Sequence, residues 1–231
     1  MSNLLIVISG PSGSGKSTVI KNLLARRNNA KQISTYTTRP PREGEKNGEQ
    51  YNFISKREYL TLLNDDKLMA CSKIEKDFYG MPLLEDILQE GDNIDYLIDM
   101  GVSGGLEIKE RFPQAIMIYL IPETQEQLLI QRSNRGKTRQ ARGLKQIEKV
   151  TNSKKYKWLV RNGDLDRTLE HVEAIIDYTR KRKSGKLIQE DLVKSKDILT
   201  GLILSSDENT EFLRNFYNNE REREWDKWKE K

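Results

Sequence analysis

The chain has 231 residues, of which 35% are hydrophobic and 32% charged, with a formal net charge of +5. That length can bury one substantial core with a small appendage. A single cysteine, Cys71, excludes an internal disulfide framework and fits a reducing cytoplasm, and a single histidine, His171, argues against a His-based metal cage or a His-centred triad.

The first element is the apolar run Leu4–Ile8, which reads as a buried parallel strand. No basic residue precedes it, so it reads as a strand and not a signal peptide, and no apolar run in the chain has membrane-spanning length. It leads into "GPSGSGKST", a fit to G-x-x-x-x-G-K-[ST] through Gly10, Gly15, Lys16 and Ser17. Gly10, Gly13 and Gly15 let the backbone turn tightly and aim N–H groups inward, with Ser12 and Ser14 between them. A helix predicted over Ser17–Ala25 adds the positive end of its dipole, with Thr18 in its first turn. Lys16 reaches the outer phosphates of a nucleoside triphosphate, and the Ser17 hydroxyl is the candidate Mg²⁺ ligand.

Next comes "TYTTRPPREGEKNGEQYNF", rich in Pro, Gly, Asn and charge, which reads as a loop-rich insertion with short strands. Further strands are predicted at Tyr96–Ile98 and Ala115–Ile121, and helices at Glu123–Arg132 and Leu165–Arg180. Strands alternating with helices predict an α/β fold, a parallel sheet flanked by helices. The segment "QRSNRGKTRQARGLKQ" is basic and nearly free of large apolar side chains, a candidate lid over about 133–150. From about Gly185 apolar residues recur at helical spacing before a charged tail, so 185–231 reads as a helical extension that either packs on the core or forms an oligomer contact.

An acceptor that is itself a phosphate has ionised oxygens and needs clustered Arg and Tyr donors, not a general base. Arg39 and Arg42, flanking Pro40 and Pro41, with Tyr51 and with Tyr79 in "DFYG", are such donors. The succession of the phosphate loop, "STYTTRPPREGEKNGEQYNFIS", "DFYG" and "NGDLD" resembles guanylate kinase over roughly residues 3–180. The resemblance implies a P-loop kinase core over 1–34 and 80–184, an acceptor-binding insertion over 35–79 and an Arg-rich lid. It implies transfer of the terminal phosphoryl group of ATP, with Mg²⁺, to GMP or dGMP.

Carried over by position, it implies that Arg39, Arg42, Tyr51 and Tyr79 hold the acceptor phosphate and that Thr35 touches the guanine edge. Asp99 matches an acidic residue near the acceptor and the magnesium. Arg132 and Arg135 match lid arginines that neutralise the transferring group. The third is Arg139 or Arg142, with Arg142 carried as the candidate. Asn162 matches a residue beside the adenine. Ala70 stands where the family reads guanine with Glu, and Met81 where it has Ser or Thr. Such losses predict weaker discrimination among bases. The alternatives are a kinase for another or a modified nucleoside monophosphate and a non-catalytic guanylate-kinase-like scaffold. The intact loop argues against the scaffold. The positive charge is interspersed with acid, and no aromatic residues interleave with the lid arginines, so the partners read as small nucleotides and not as nucleic acid or membrane.

Overall fold

The computed structural model describes residues 3–11, 13–88, 93–122, 149–150 and 152–185. Ser12, the helix predicted over Glu123–Arg132, the basic segment with Arg132, Arg135, Arg139 and Arg142, and the extension from 186 onward lie outside these residues. The chain divides into two compact units, Met1–Ser9 with Ser17–Ile116, and Gly10–Lys16 with Met117–Lys231.

In the first unit, β1 (Leu4–Ser9) is buried at every residue, as an unbroken apolar run in a parallel strand covered on both faces requires. Helix α1 (Lys16–Arg26) buries a stripe of Val19, Ile20 and Leu23. Short strands β2 (Ala30–Gln32), β3 (Thr35–Thr37) and β4 (Tyr51–Phe53) follow. Helix α2 (Lys56–Asn64) was not anticipated within the insertion, although its start carries a legible signal. Ser55 accepts from the Glu58 N–H while the Glu58 carboxylate accepts from the Ser55 N–H, a reciprocal cap. Strands β5 (Leu68–Ile74) and β6 (Asp77–Pro82), a one-turn α3 (Leu84–Ile87), β7 (Asp95–Asp99) and α4 (Val102–Arg111) complete the unit.

Strand β7 lies parallel to both β1 and β2, and Ile8 pairs with Asp99 at the carboxyl ends of β1 and β7. The amino end of β7 is anchored by fully buried Asp95, which accepts from Arg27 at 2.9 and 3.1 Å and from Asn29 at 3.3 Å. A second sheet runs β4-β3-β6-β5, with β3 parallel to β4 and antiparallel to β6. Helix α4 carries Gly104 and Gly105, poor helix formers. Its Val102, Gly105 and Ile108 are buried on one face, so packing and not propensity holds it.

In the second unit, β8 (Ile116–Pro122) pairs parallel with β9 (Trp158–Asn162). Helix α5 (Leu165–Lys183) is capped by Asp164, whose side chain accepts from the Arg167 N–H at 2.8 Å. It buries Leu169, Val172, Ile175 and Ile176, and Tyr178 meets Trp158 edge-on at 6.1 Å.

Candidate active site

The loop after β1 is shaped by its glycines and by β8 and β9 of the same unit. A Cβ on Gly10 would sit 2.2 Å from the Leu120 carbonyl oxygen, so only glycine fits. Gly13 and Gly15 have φ of 86° and 83°, left-handed conformations that turn successive N–H groups to one side. Asn162 Nδ2 donates to the Ser14 carbonyl at 2.8 Å, and Asn162 is itself held by the Thr168 hydroxyl at 3.1 Å. Asn162 thus lies against the backbone of the phosphate loop. Lys16 Nζ arches over the loop and donates to the carbonyls of Gly10 and Pro11 at 3.0 and 3.1 Å. The Ser14 hydroxyl is buried and has no hydrogen-bond partner among the described residues. A flexed Gly-rich backbone, a lysine above it and an orphaned hydroxyl fit a chain of phosphates.

The Ser17 hydroxyl donates to Asp99 Oδ2 at 3.1 Å. A hydroxyl beside a carboxylate is a hard-oxygen pair suited to Mg²⁺, which keeps its other positions for water and phosphate oxygens. Among the described residues, no group of three or more His, Cys, Asp or Glu could enclose a metal.

The acceptor side is built on one face of the second sheet. Thr35 pairs with Tyr51, Thr37 with Phe53 and with Tyr79, and Met69 with Met81. Alternate residues of a strand share a face, so Thr35, Thr37, Tyr51, Phe53, Tyr79 and Met81 all lie on one side. Helix α2 covers the other, where Tyr59 stacks on Phe78 at 5.3 Å and donates to the Tyr79 carbonyl at 2.9 Å.

Arg39 crosses the front face at 5.2 Å from the Tyr51 ring centroid and 5.5 Å from that of Phe53. Its guanidinium donates to both oxygens of Glu45 at 2.8 and 2.9 Å, a bidentate pair that raises its pKa above the usual arginine value. Burial pushes the Glu45 carboxyl up, but the Arg39 pair and the Arg42 N–H at 2.7 Å hold it below the usual range. Burial, then the Asp99 charge, pushes the Tyr51 phenol up to about 12, so it is a proton donor throughout the neutral range. Tyr51 and Tyr79 meet edge-on with centroids 6.3 Å apart.

Arg39, Tyr51, Tyr79 and Thr35 therefore come together on one face. Arg42 is exposed there and engages Glu45 through its backbone. Thr35, Ala70 and Met81 are buried at 6%, 4% and 0% exposure. Glu45 and Phe53, which orient Arg39, went unnoticed in sequence although both stand in the stretch that carries the resemblance. Glu107 was also missed. Its Oε1 accepts from the Ala70 N–H at 2.8 Å across 37 positions, and no local spacing announces that contact.

The guanylate kinase family model matches residues 2–179. The chain belongs to the guanylate kinase family. It is 35% identical over 180 residues to the guanylate kinase of Caldanaerobacter subterraneus subsp. tengcongensis, covering 75% of this chain and 86% of that one. It is 33% identical over 201 residues to the guanylate kinase of Clostridium tetani, covering 84% and 94%. The crystal structure of guanylate kinase from Anaplasma phagocytophilum shares the fold, with a TM-score of 0.60 at 23% identity over 87% of this chain and 95% of that one. The chain is a nucleoside-monophosphate kinase. Its relatives among the guanylate kinases support ATP-dependent phosphoryl transfer to GMP as the reaction, over another acceptor or a non-catalytic scaffold. No helix among the described residues is long and apolar enough to cross a membrane.

Proposed function

We propose that the loop from Gly10 to Thr18 holds the triphosphate of ATP while Arg39, Arg42, Tyr51 and Tyr79 hold the 5′-phosphate of GMP. The insertion 35–79 is then the acceptor-binding part and 1–34 with 80–184 the kinase core. The acceptor oxygen is ionised and attacks without a general base, so the site's work is alignment and charge neutralisation. Lys16 offsets charge on the outer phosphates. The lid arginines Arg132, Arg135 and Arg142 take the same role at the transferring group by family resemblance. Ser17 and Asp99 would hold Mg²⁺, which would supply neutralisation of the charge that develops during transfer. Thr35 stands on the acceptor face as a hydroxyl for the base, and Asn162 supports the loop. The cytoplasm, where both nucleotides are available, is the proposed compartment, consistent with a single exposed thiol at Cys71.

The observation that carries this reading is the cluster of Arg39, Tyr51 and Tyr79 on one sheet face, with Asp99 near enough to raise the Tyr51 pKa. That arrangement grips a dianion and has no obvious structural need for so many donors. The test is ADP release from ATP across a panel of nucleoside monophosphates, for the unmodified protein and Lys16→Ala. Turnover with GMP or dGMP is expected, and Lys16→Ala should lower it by roughly 10²–10³-fold. Near-normal turnover in a folded Lys16→Ala protein overturns the reading.

A further inference from the structure

Guanine presents two adjacent donors, N1–H and N2–H₂, which one carboxylate accepts together; adenine offers an acceptor at N1 instead. Two carboxylates at the acceptor face are already engaged. Glu45 has both oxygens on Arg39, and Asp99 is turned to Ser17. Glu107 on α4 is differently placed. Its Oε1 accepts from the Ala70 N–H at 2.8 Å, and its Oε2 has no hydrogen bond among the described residues.

Local packing explains why Glu107 arrives there. Ala70 sits at a register shift between Met69 and Ser72, with φ at 48°, which turns its N–H out of the ladder. A Cβ on Gly104 would lie 3.6 Å from the Ala70 Cβ and 2.5 Å from Met100 Sδ, so α4 approaches β5 closely because both residues are small. Glu107 follows Gly104 on the same helix face and so meets the turned-out amide. Position 70 is 4% exposed and lies against the helix, its Cβ 3.6 Å from where a Cβ on Gly104 would stand. The carboxylate at this end of the sheet is delivered by α4.

The placement suits a base. Tyr51 lies on β4 and Ala70 on β5, the two edges of the order β4-β3-β6-β5, three strand spacings or about 14 Å apart. Tyr51 and Ala70 thus bracket the acceptor face, with Thr35 on β3 and Met81 on β6 between them.

We infer that Glu107 is a specificity-determining residue that accepts the N1–H and N2–H₂ of the guanine base, with the Ala70 amide fixing its carboxylate. The inference rests on the assignment of Arg39, Tyr51 and Tyr79 to the acceptor phosphate. The test compares kcat/KM for GMP with that for IMP, which lacks the 2-amino group, in the full chain and in Glu107→Gln. Glutamine keeps an oxygen for the Ala70 N–H, so it preserves the bulge while losing the second acceptor; a thermal melt checks that the fold is retained. The unmodified protein should prefer GMP, and Glu107→Gln should lower the GMP-to-IMP ratio by about 10–100-fold, mainly through KM for GMP. Glu107→Asp, which retains the charge on a shorter arm, should recover part of the ratio. An unmodified protein that treats GMP and IMP alike, or an unchanged ratio in folded Glu107→Gln, overturns the inference while leaving the kinase intact. Absence of turnover on every monophosphate would instead overturn the assignment beneath it.

Discussion

The Ser17 hydroxyl and the Asp99 carboxylate meet at 3.1 Å, joining the first turn of α1 to the carboxyl end of β7. The pairing of Ile8 with Asp99 explains the meeting, because it brings the end of β7 beside the strand end from which the phosphate loop departs. Ligands of parallel α/β sheets gather at that edge. If these two side chains hold Mg²⁺ as proposed, Ser17→Ala and Asp99→Asn should each raise the Mg²⁺ concentration for half-maximal turnover by about 10–100-fold. The measurement is a magnesium titration at fixed nucleotide. A lower kcat with an unshifted magnesium midpoint would remove both residues from the metal.

The Glu45 carboxylate gives the acceptor site an acid limit. Its folded pKa is lowered from the ordinary 4.5, so its contribution to stability is full above that value and is lost as pH falls through the lower folded pKa. Affinity for GMP should weaken below about pH 6 as the nucleotide's own phosphate takes up its second proton, and a further step should follow below about 4.5, as protonation of Glu45 frees Arg39 to leave its place against Tyr51 and Phe53. In Glu45→Gln the KM for GMP should be higher at neutral pH and this acid step absent. A step of unchanged size in Glu45→Gln would assign it to another group.

Tyr51 should act through its hydroxyl. Removing one hydrogen bond to a charged group costs roughly 1.5–3 kcal/mol, so Tyr51→Phe should raise KM for GMP by about 10–100-fold. The ring and its contacts with Arg39 remain, and kcat should fall less than the affinity. At high pH the sign reverses relative to Glu45. The folded phenol titrates near 12 against an ordinary 10, so stability declines between those values, where only the unfolded chain has ionised. Chemical denaturation at stepped alkaline pH should show a shallower decline for Tyr51→Phe.

Asn162 offers a choice between two roles. Its amide lies on the Ser14 carbonyl and fills the space where a Gly15 side chain would be. If it works by holding the loop, Asn162→Ala should raise KM for ATP and for GTP alike, by about 10-fold for one hydrogen bond of roughly 1.5 kcal/mol. A change in the ATP-to-GTP preference would instead reveal a contact with the base, as the family resemblance implies.

Local sequence determined the parts that obey short-range rules. Five apolar residues, a Gly-rich loop and Lys16–Ser17 name a strand, a phosphate cradle and a helix, since glycine conformations and dipoles act within a few residues. The run from Thr35 to Phe53 likewise carries its donors in order, and Ser55 with Glu58 announces α2. Tertiary structure decided what those rules do not reach. Sheet pairing put Thr35, Tyr51 and Tyr79 on one face, and parallel register put Asp99 beside Ser17. Ala70 looks in sequence like the loss of an acid. In the fold it is the small residue that lets Gly104 approach and Glu107 arrive from 37 positions away. That substitution of one element for another depends on backbone separation between a helix and a strand, a quantity no stretch of sequence encodes locally.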